Sequence, residues 1–135
     1  MMTNQSLTSL GANVVLATSG DENHPPENII DGNTDTFWMS TGMFPQEFTI
    51  RFAEPTKIAV ITLDCYNVKD LKIEKNTSDT VSNFECIAEK EFEHTEGQRQ
   101  SLNFSLNETS ATHLRFIIAS GYDHFVSVHR VSVES

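Results

Sequence analysis

The chain has 135 residues and a net charge of −10, from 9 lysines and arginines against 19 acids. Such a field repels a phosphate backbone or an anionic membrane surface, and no basic stripe offsets it. A hydrophobic content of 38% with 21% charged residues excludes a disordered chain and fits one folded domain with a real core.

No apolar run approaches the ~20 residues that a membrane-spanning helix needs. Met1–Ser6 has neither the basic nor the apolar region of a signal peptide. The expectation is therefore a protein inside the cell. There the sequons at Asn4, Asn76, Asn103 and Asn107 are idle, and Cys65 and Cys86 are two buried, reduced thiols. Residues 1–12 read as a flexible leader and 13–135 as a single domain with no internal repeat.

Val14-Val15-Leu16-Ala17-Thr18 predicts a first strand, ended by Ser19-Gly20-Asp21. Beyond a loop taken up below, Phe48, Ile50 and Phe52 alternate with Thr49 and Arg51, as a half-buried strand does. Glu54-Pro55 is read as a turn. Ile58–Leu63 is apolar on both faces, which predicts a central strand. From Val68 to Lys75, Leu71 and Ile73 point inward and Lys72 and Glu74 outward. Asn76–Asp79 is a surface turn. Phe84–Phe92 carries both helical and alternating spacing and is assigned as strand, because its neighbours are strands.

Glu93–Gly97 turns the chain again. Leu102, Phe104 and Leu106 alternate, as do Leu114, Phe116 and Ile118; Ser120–Asp123 is a loop. In the last strand Val126 and Val128 are out of phase with Val131 and Val133, which predicts one extra residue, a β-bulge, between them. About eight antiparallel strands without a long helix predict an all-β sandwich of the jelly-roll kind.

The segment His24–Thr41 is dense in special residues. Pro25 and Pro26 exclude a helix interior. Glu27–Ile30 can form one helical turn with its isoleucines inward, and Asp31-Gly32-Asn33 is strong turn chemistry. The carboxylate of Asp31, the hydroxyl and carbonyl of Thr36 and the carbonyls of Asn28 and Asn33 make a donor set of one charge and many neutral oxygens. That balance suits calcium better than magnesium or a transition metal. The opening Asp31-x-Asn33-x-Asp35 is not an EF-hand, since the positions that need Gly and Glu hold Thr36 and Gly42. A metal-free Asx-turn remains the alternative. Trp38 has two readings, a sugar-stacking ring or a core residue beneath the loop, and the core is favoured.

No catalytic constellation emerges. His24, His94, His113, His124 and His129 form no paired metal spacing, and no Gly-x-Ser-x-Gly elbow or phosphate loop is present. Asp64 and Asp70 read as acids on solvated faces.

His24-Pro25-Pro26-Glu27-Asn28-Ile29-Ile30-Asp31-Gly32-Asn33, Thr36-Phe37-Trp38 and Thr41–Phe48 closely resemble a family of discoidin-like (galactose-binding-like) subunits of ciliary intraflagellar transport. The likeness continues through Leu71–Lys75, His94–Gly97, Leu114–Ile118, Asp123–Phe125 and Ser127–His129, from about Val14 to Glu134. The resemblance implies a discoidin-like jelly roll with one structural calcium ion at Asn28, Asp31, Asn33 and Thr36, with Glu134 added from the last strand. It also implies a non-enzymatic adaptor of the intraflagellar transport B complex, heterodimeric with a Rab-like small GTPase and found in cilium and cytoplasm. The alternative is an intracellular carbohydrate- or lipid-head-group-binding module, for which Phe44, Tyr122 and Phe125 are the candidate loop rings. A chaperone reading finds no flexible apolar arm and no α-crystallin-like domain to support it.

Overall fold

The computed structural model describes residues 12–17, 29, 37–39, 44–76, 84–93, 100–122 and 126–134. Within them lie seven strands: β1 (Asn13–Ala17), β2 (Trp38–Met39), β3 (Gln46–Tyr66), β4 (Val68–Asn76), β5 (Glu85–Glu91), β6 (Gln100–Gly121) and β7 (Ser127–Glu134). They form one sheet in the order β2-β7-β3-β6-β4-β5, and β1 pairs with β3 beside this path. The pairings are antiparallel.

Two strands of 21 and 22 residues, β3 and β6, run through the whole sheet. The first part of β3, Gln46–Arg51, lies against Ile118–His113 of β6, with β1 on its other side. The second part, Val60–Cys65, lies against Ser105–Gln100 of β6, with β7 on its other side. β4 and β5 extend the first half and β2 the second. Rings from the two halves meet in the core: Trp38 of β2 approaches Phe48 of β3 edge-on at 5.4 Å, and Phe48 stacks on Phe116 of β6 at 4.9 Å. The sheet thus curls on itself into a jelly roll, a single continuous sheet rather than two separate ones.

The expected turn at Glu54-Pro55 is corrected, because β3 continues through it. The register slips between Arg51 and Thr56, and a proline is tolerated in a strand at such an irregularity, where its missing N–H leaves no ladder bond unmade. The two alternating runs around Phe104 and Phe116 likewise belong to one strand, β6. Among the described residues the strands number seven, two of them long.

Burial follows the register. In β3 the buried apolar side chains are Phe48, Ile50, Phe52 and Ile58, then Ile61, Leu63 and Cys65. The change from even to odd positions falls where the register shifts between Ile58 and Val60. Each fully buried aliphatic or aromatic side chain contributes roughly 1.5–3 kcal/mol, so a one-residue slip elsewhere would turn the inward set to solvent. The central position expected of Ile58–Leu63 holds, with Val60–Leu63 paired to both β6 and β7. The expected bulge in β7 holds as well. Cys65 pairs with Val128 and Asp64 with Arg130, which leaves His129 as the extra residue.

A buried side chain joins the two halves. Gln100, at the start of β6, donates to the Val68 carbonyl at 2.9 Å and accepts from the Val68 N–H at 3.0 Å. The β3–β4 turn rests on Asn67, at φ 64°, a left-handed conformation that Asn tolerates. Its carbonyl accepts from the Tyr122 N–H at 2.7 Å. Gly121 packs so closely there that a Cβ would lie 2.8 Å from that carbonyl and 2.9 Å from Val126. No larger residue fits without displacement.

Three further expectations are corrected. Cys65 is buried but Cys86 is exposed, and both are free thiols. Asp64 is only 3% exposed, because it accepts from Ser101 at 2.6 Å and pairs with Arg130 at 3.1 Å. Glu74 is 7% exposed, covered by Arg115, whose Nε donates to it at 2.7 Å. Arg115 also pairs with it through Nη2, and Lys72 lies 3.4 Å away. The same guanidinium rests 4.1 Å above the Phe84 ring. The ion pair therefore holds the loop side of β5 against β4 and β6.

Burial raises the Glu74 pKa, but the hydrogen bonds and charges of Arg115 and then Lys72 outweigh it, so the net shift is downward from 4.5. A lowered folded-state pKa stabilises fully above the unfolded value and is lost as pH falls through the lower folded value. Glu74→Gln should cost roughly 1 kcal/mol at pH 7. The difference from wild type should shrink as pH drops below about 4.5, as read by urea unfolding at several pH values.

Candidate functional site

The predicted calcium ligands Asn28, Asp31, Asn33 and Thr36 lie outside the described residues. Glu134 ends β7 with its backbone opposite Val60; its side chain is outside the description. The flanks of the loop are placed. Ile29 near its start and Trp38 at its end are both fully buried, so the segment is pinned into the core at two points. Trp38 is thereby a core residue, as its position after the turn predicts. Among the described residues no cluster of three His, Cys, Asp or Glu side chains could hold a metal ion.

Two of the candidate sugar-stacking rings are otherwise engaged. Phe44 packs on the core, Tyr122 donates its hydroxyl to the Phe92 carbonyl at 2.6 Å, and Phe125 lies outside the described residues. Among the histidines, His113 is 7% exposed with its Nδ1 2.9 Å from the Thr112 hydroxyl; His24, His94 and His124 lie outside the description. Both thiols are shifted upward. Burial first, and the charge of Asp64 second, push Cys65 up to about 12. Cys86 is also raised, by burial and then by Glu89, whose carboxylate lies 3.6 Å away.

What the sequence reading missed is a plate of rings on the outer side of β2, β7 and β3. His129 stacks on Phe37 with centroids 4.8 Å apart and meets Tyr66 at 4.9 Å. All three rings are partly exposed, while their chain neighbours Trp38, Val128 and Cys65 are buried. The β7 bulge explains the arrangement. Val128 and Val131 both face the core, so the two residues between them, His129 and Arg130, can both stand outside. The slip in valine phase was the readable signal; that its extra residue would meet Phe37 and Tyr66 needed the strand pairing.

Beside the plate most polar groups are paired, while Arg130 Nε is buried without a hydrogen-bond partner. Arg130 pairs with Asp64, Ser101 donates to Asp64, and Thr62 donates to Asn103 at 2.8 Å. The face is therefore ringed and locally neutral. The other layer differs. A groove of about 520 Å³ there is lined by Asp70, Leu71, Lys72, Glu89, Lys90, Glu91 and Ala119, and Asp70 accepts from Ser120 at 2.5 Å. Its rim is charged, in the manner of a protected sheet edge.

With this geometry in view, the relatives can be placed. Residues 14–131 match the model of the F5/8 type C domain. A human protein named intraflagellar transport protein 25 homolog is 56% identical over 128 residues, covering 95% of this chain and 89% of its own length. Intraflagellar transport protein 25 of Chlamydomonas reinhardtii is 40% identical over 91% of this chain and 65% of its own. Among solved structures, CpGH89CBM32-5 from Clostridium perfringens, in complex with GalNAc-beta-1,3-galactose, superposes with a TM-score of 0.79 at 21% identity. That superposition covers 97% of this chain and all of the other, and it bears on the fold alone. The chain belongs to the intraflagellar transport protein 25 family, built on an F5/8 type C, discoidin-like jelly roll.

Proposed function

We propose that this chain is a non-enzymatic adaptor subunit of the intraflagellar transport B complex, active in the cilium and cytoplasm, and that it pairs with a Rab-like small GTPase. The observation that supports this most is the 56% identity with a human transport protein over 95% of the chain. That identity extends over nearly the whole chain, whereas the sugar-bound neighbour at 21% identity bears on the fold alone. The occupied states of Phe44 and Tyr122 add weight against the carbohydrate alternative.

In the same reading one calcium ion is held by Asn28, Asp31, Asn33 and Thr36, with Glu134 contributing from the end of β7. The donor chemistry fits, with two carboxylates and several neutral oxygens. The burial of Ile29 and Trp38 supports the fit, since both ends of the interval 30–37 are anchored in the core, which lowers the entropy left to lose on ordering it. When bound, the ion neutralises clustered acid and braces the loop; it performs no reaction.

Two measurements test these assignments. Co-expressed with the Rab-like GTPase, the chain should elute in size-exclusion chromatography as a one-to-one complex; two separate peaks from folded proteins would remove the partner assignment. Calcium at about 100 times its dissociation constant should stabilise the chain by roughly 2.7 kcal/mol. Asp31→Ala should abolish that gain, and identical melting curves in calcium and in chelator would remove the metal.

A further inference from the structure

We infer that the Phe37–His129–Tyr66 plate is the surface on which a partner protein docks, and that the partner presents a basic, arginine- or lysine-bearing patch to it. The inference rests on the adaptor reading above and gives its surface. The three rings form one contiguous layer, with centroid spacings of 4.8 and 4.9 Å. They stand outside a sheet whose inner side is already filled by Trp38, Val128 and Cys65. His129 reaches the plate only because β7 carries an extra residue, and bulges of this kind re-aim a side chain at the cost of ladder pairing.

The chemistry of the face selects the occupant. Protein interfaces have centres rich in aromatic side chains and poor in unpaired charge, and here Asp64 and Arg130 already neutralise each other. A guanidinium or ammonium is drawn to the face of an aromatic ring, as Arg115 is over Phe84 at 4.1 Å in this molecule. The long-range field has the matching sign. The chain as a whole carries −10. A basic partner is steered in by that field and anchored on the rings. The charged groove over β4 and β5 lacks such anchors and is left outside the interface.

The test uses the full chain and the Rab-like GTPase, with binding measured by biolayer interferometry at several salt concentrations. The double variant Tyr66→Ala/His129→Ala should weaken the complex at least about 30-fold, as loss of an aromatic anchor does. Rising salt should slow wild-type association. Glu89→Lys with Glu91→Lys should leave binding within about two-fold. If the double variant melts early, His129→Arg serves instead. It keeps an amphipathic side chain but opposes a basic partner with like charge, and should weaken binding at least about ten-fold. A wild-type complex that neither ring variant weakens would overturn the plate and leave the adaptor reading standing. An association rate insensitive to salt would overturn the basic partner. Absence of any complex with wild type would overturn both the adaptor reading and the plate.

Discussion

The antiparallel ladder between β3 and β6 is the constraint from which the rest of the structure follows. Its first stretch pairs Gln46–Arg51 with Ile118–His113, and its last pairs Val60–Cys65 with Ser105–Gln100. Between them the register slips twice, and those slips bend the sheet. Because the same two strands run through both halves, each inward-facing set is tied to the other by covalent chain. Phe48 can therefore meet Phe116 on one side and Trp38 on the other. Remove the ladder and no remaining pair of strands encloses a core.

A frame closed in this way frees its outer faces for other work. The inner faces carry Ile, Leu, Val, Phe and Trp at near-zero exposure. Outside, the molecule shows two unlike surfaces. One has charges ringing a groove over β4 and β5. The other has partly exposed rings beside a self-neutralised ion pair. Fold is shared with sugar-bound neighbours at low identity, so the fold by itself does not assign the function.

Much of the frame was legible in the sequence because it is written in period two. The alternations at Phe48–Phe52 and Leu114–Ile118 place the inward residues correctly, and the valine slip in β7 locates the bulge that sets out His129. Glu54-Pro55 misled, since proline signals a turn locally while the strand around it is held by β1 and β6. Asp64 and Glu74 also misled. Alternation puts them outside, and only the cross-strand partners Arg130 and Arg115 bury them. Cys86 was expected as a buried reduced thiol from the compartment, yet β5 pairs with β4 alone among the described strands and exposes it. The proposed calcium donors are a list of oxygen types in the sequence; their convergence would be a matter of loop geometry, which spacing alone does not carry. The ring plate was invisible because Phe37, Tyr66 and His129 come together only through pairing.

Hydrogen exchange of the chain alone and in complex with the Rab-like GTPase tests the central claim most directly, since it reads frame and face at once. The account predicts that the β3–β6 ladder is the most protected region in both states. It further predicts that binding adds protection at residues 37–39, 62–66 and 127–132 and adds none at 85–91. Added protection confined to 85–91, or a β3–β6 ladder that exchanges as fast as β5, would contradict it.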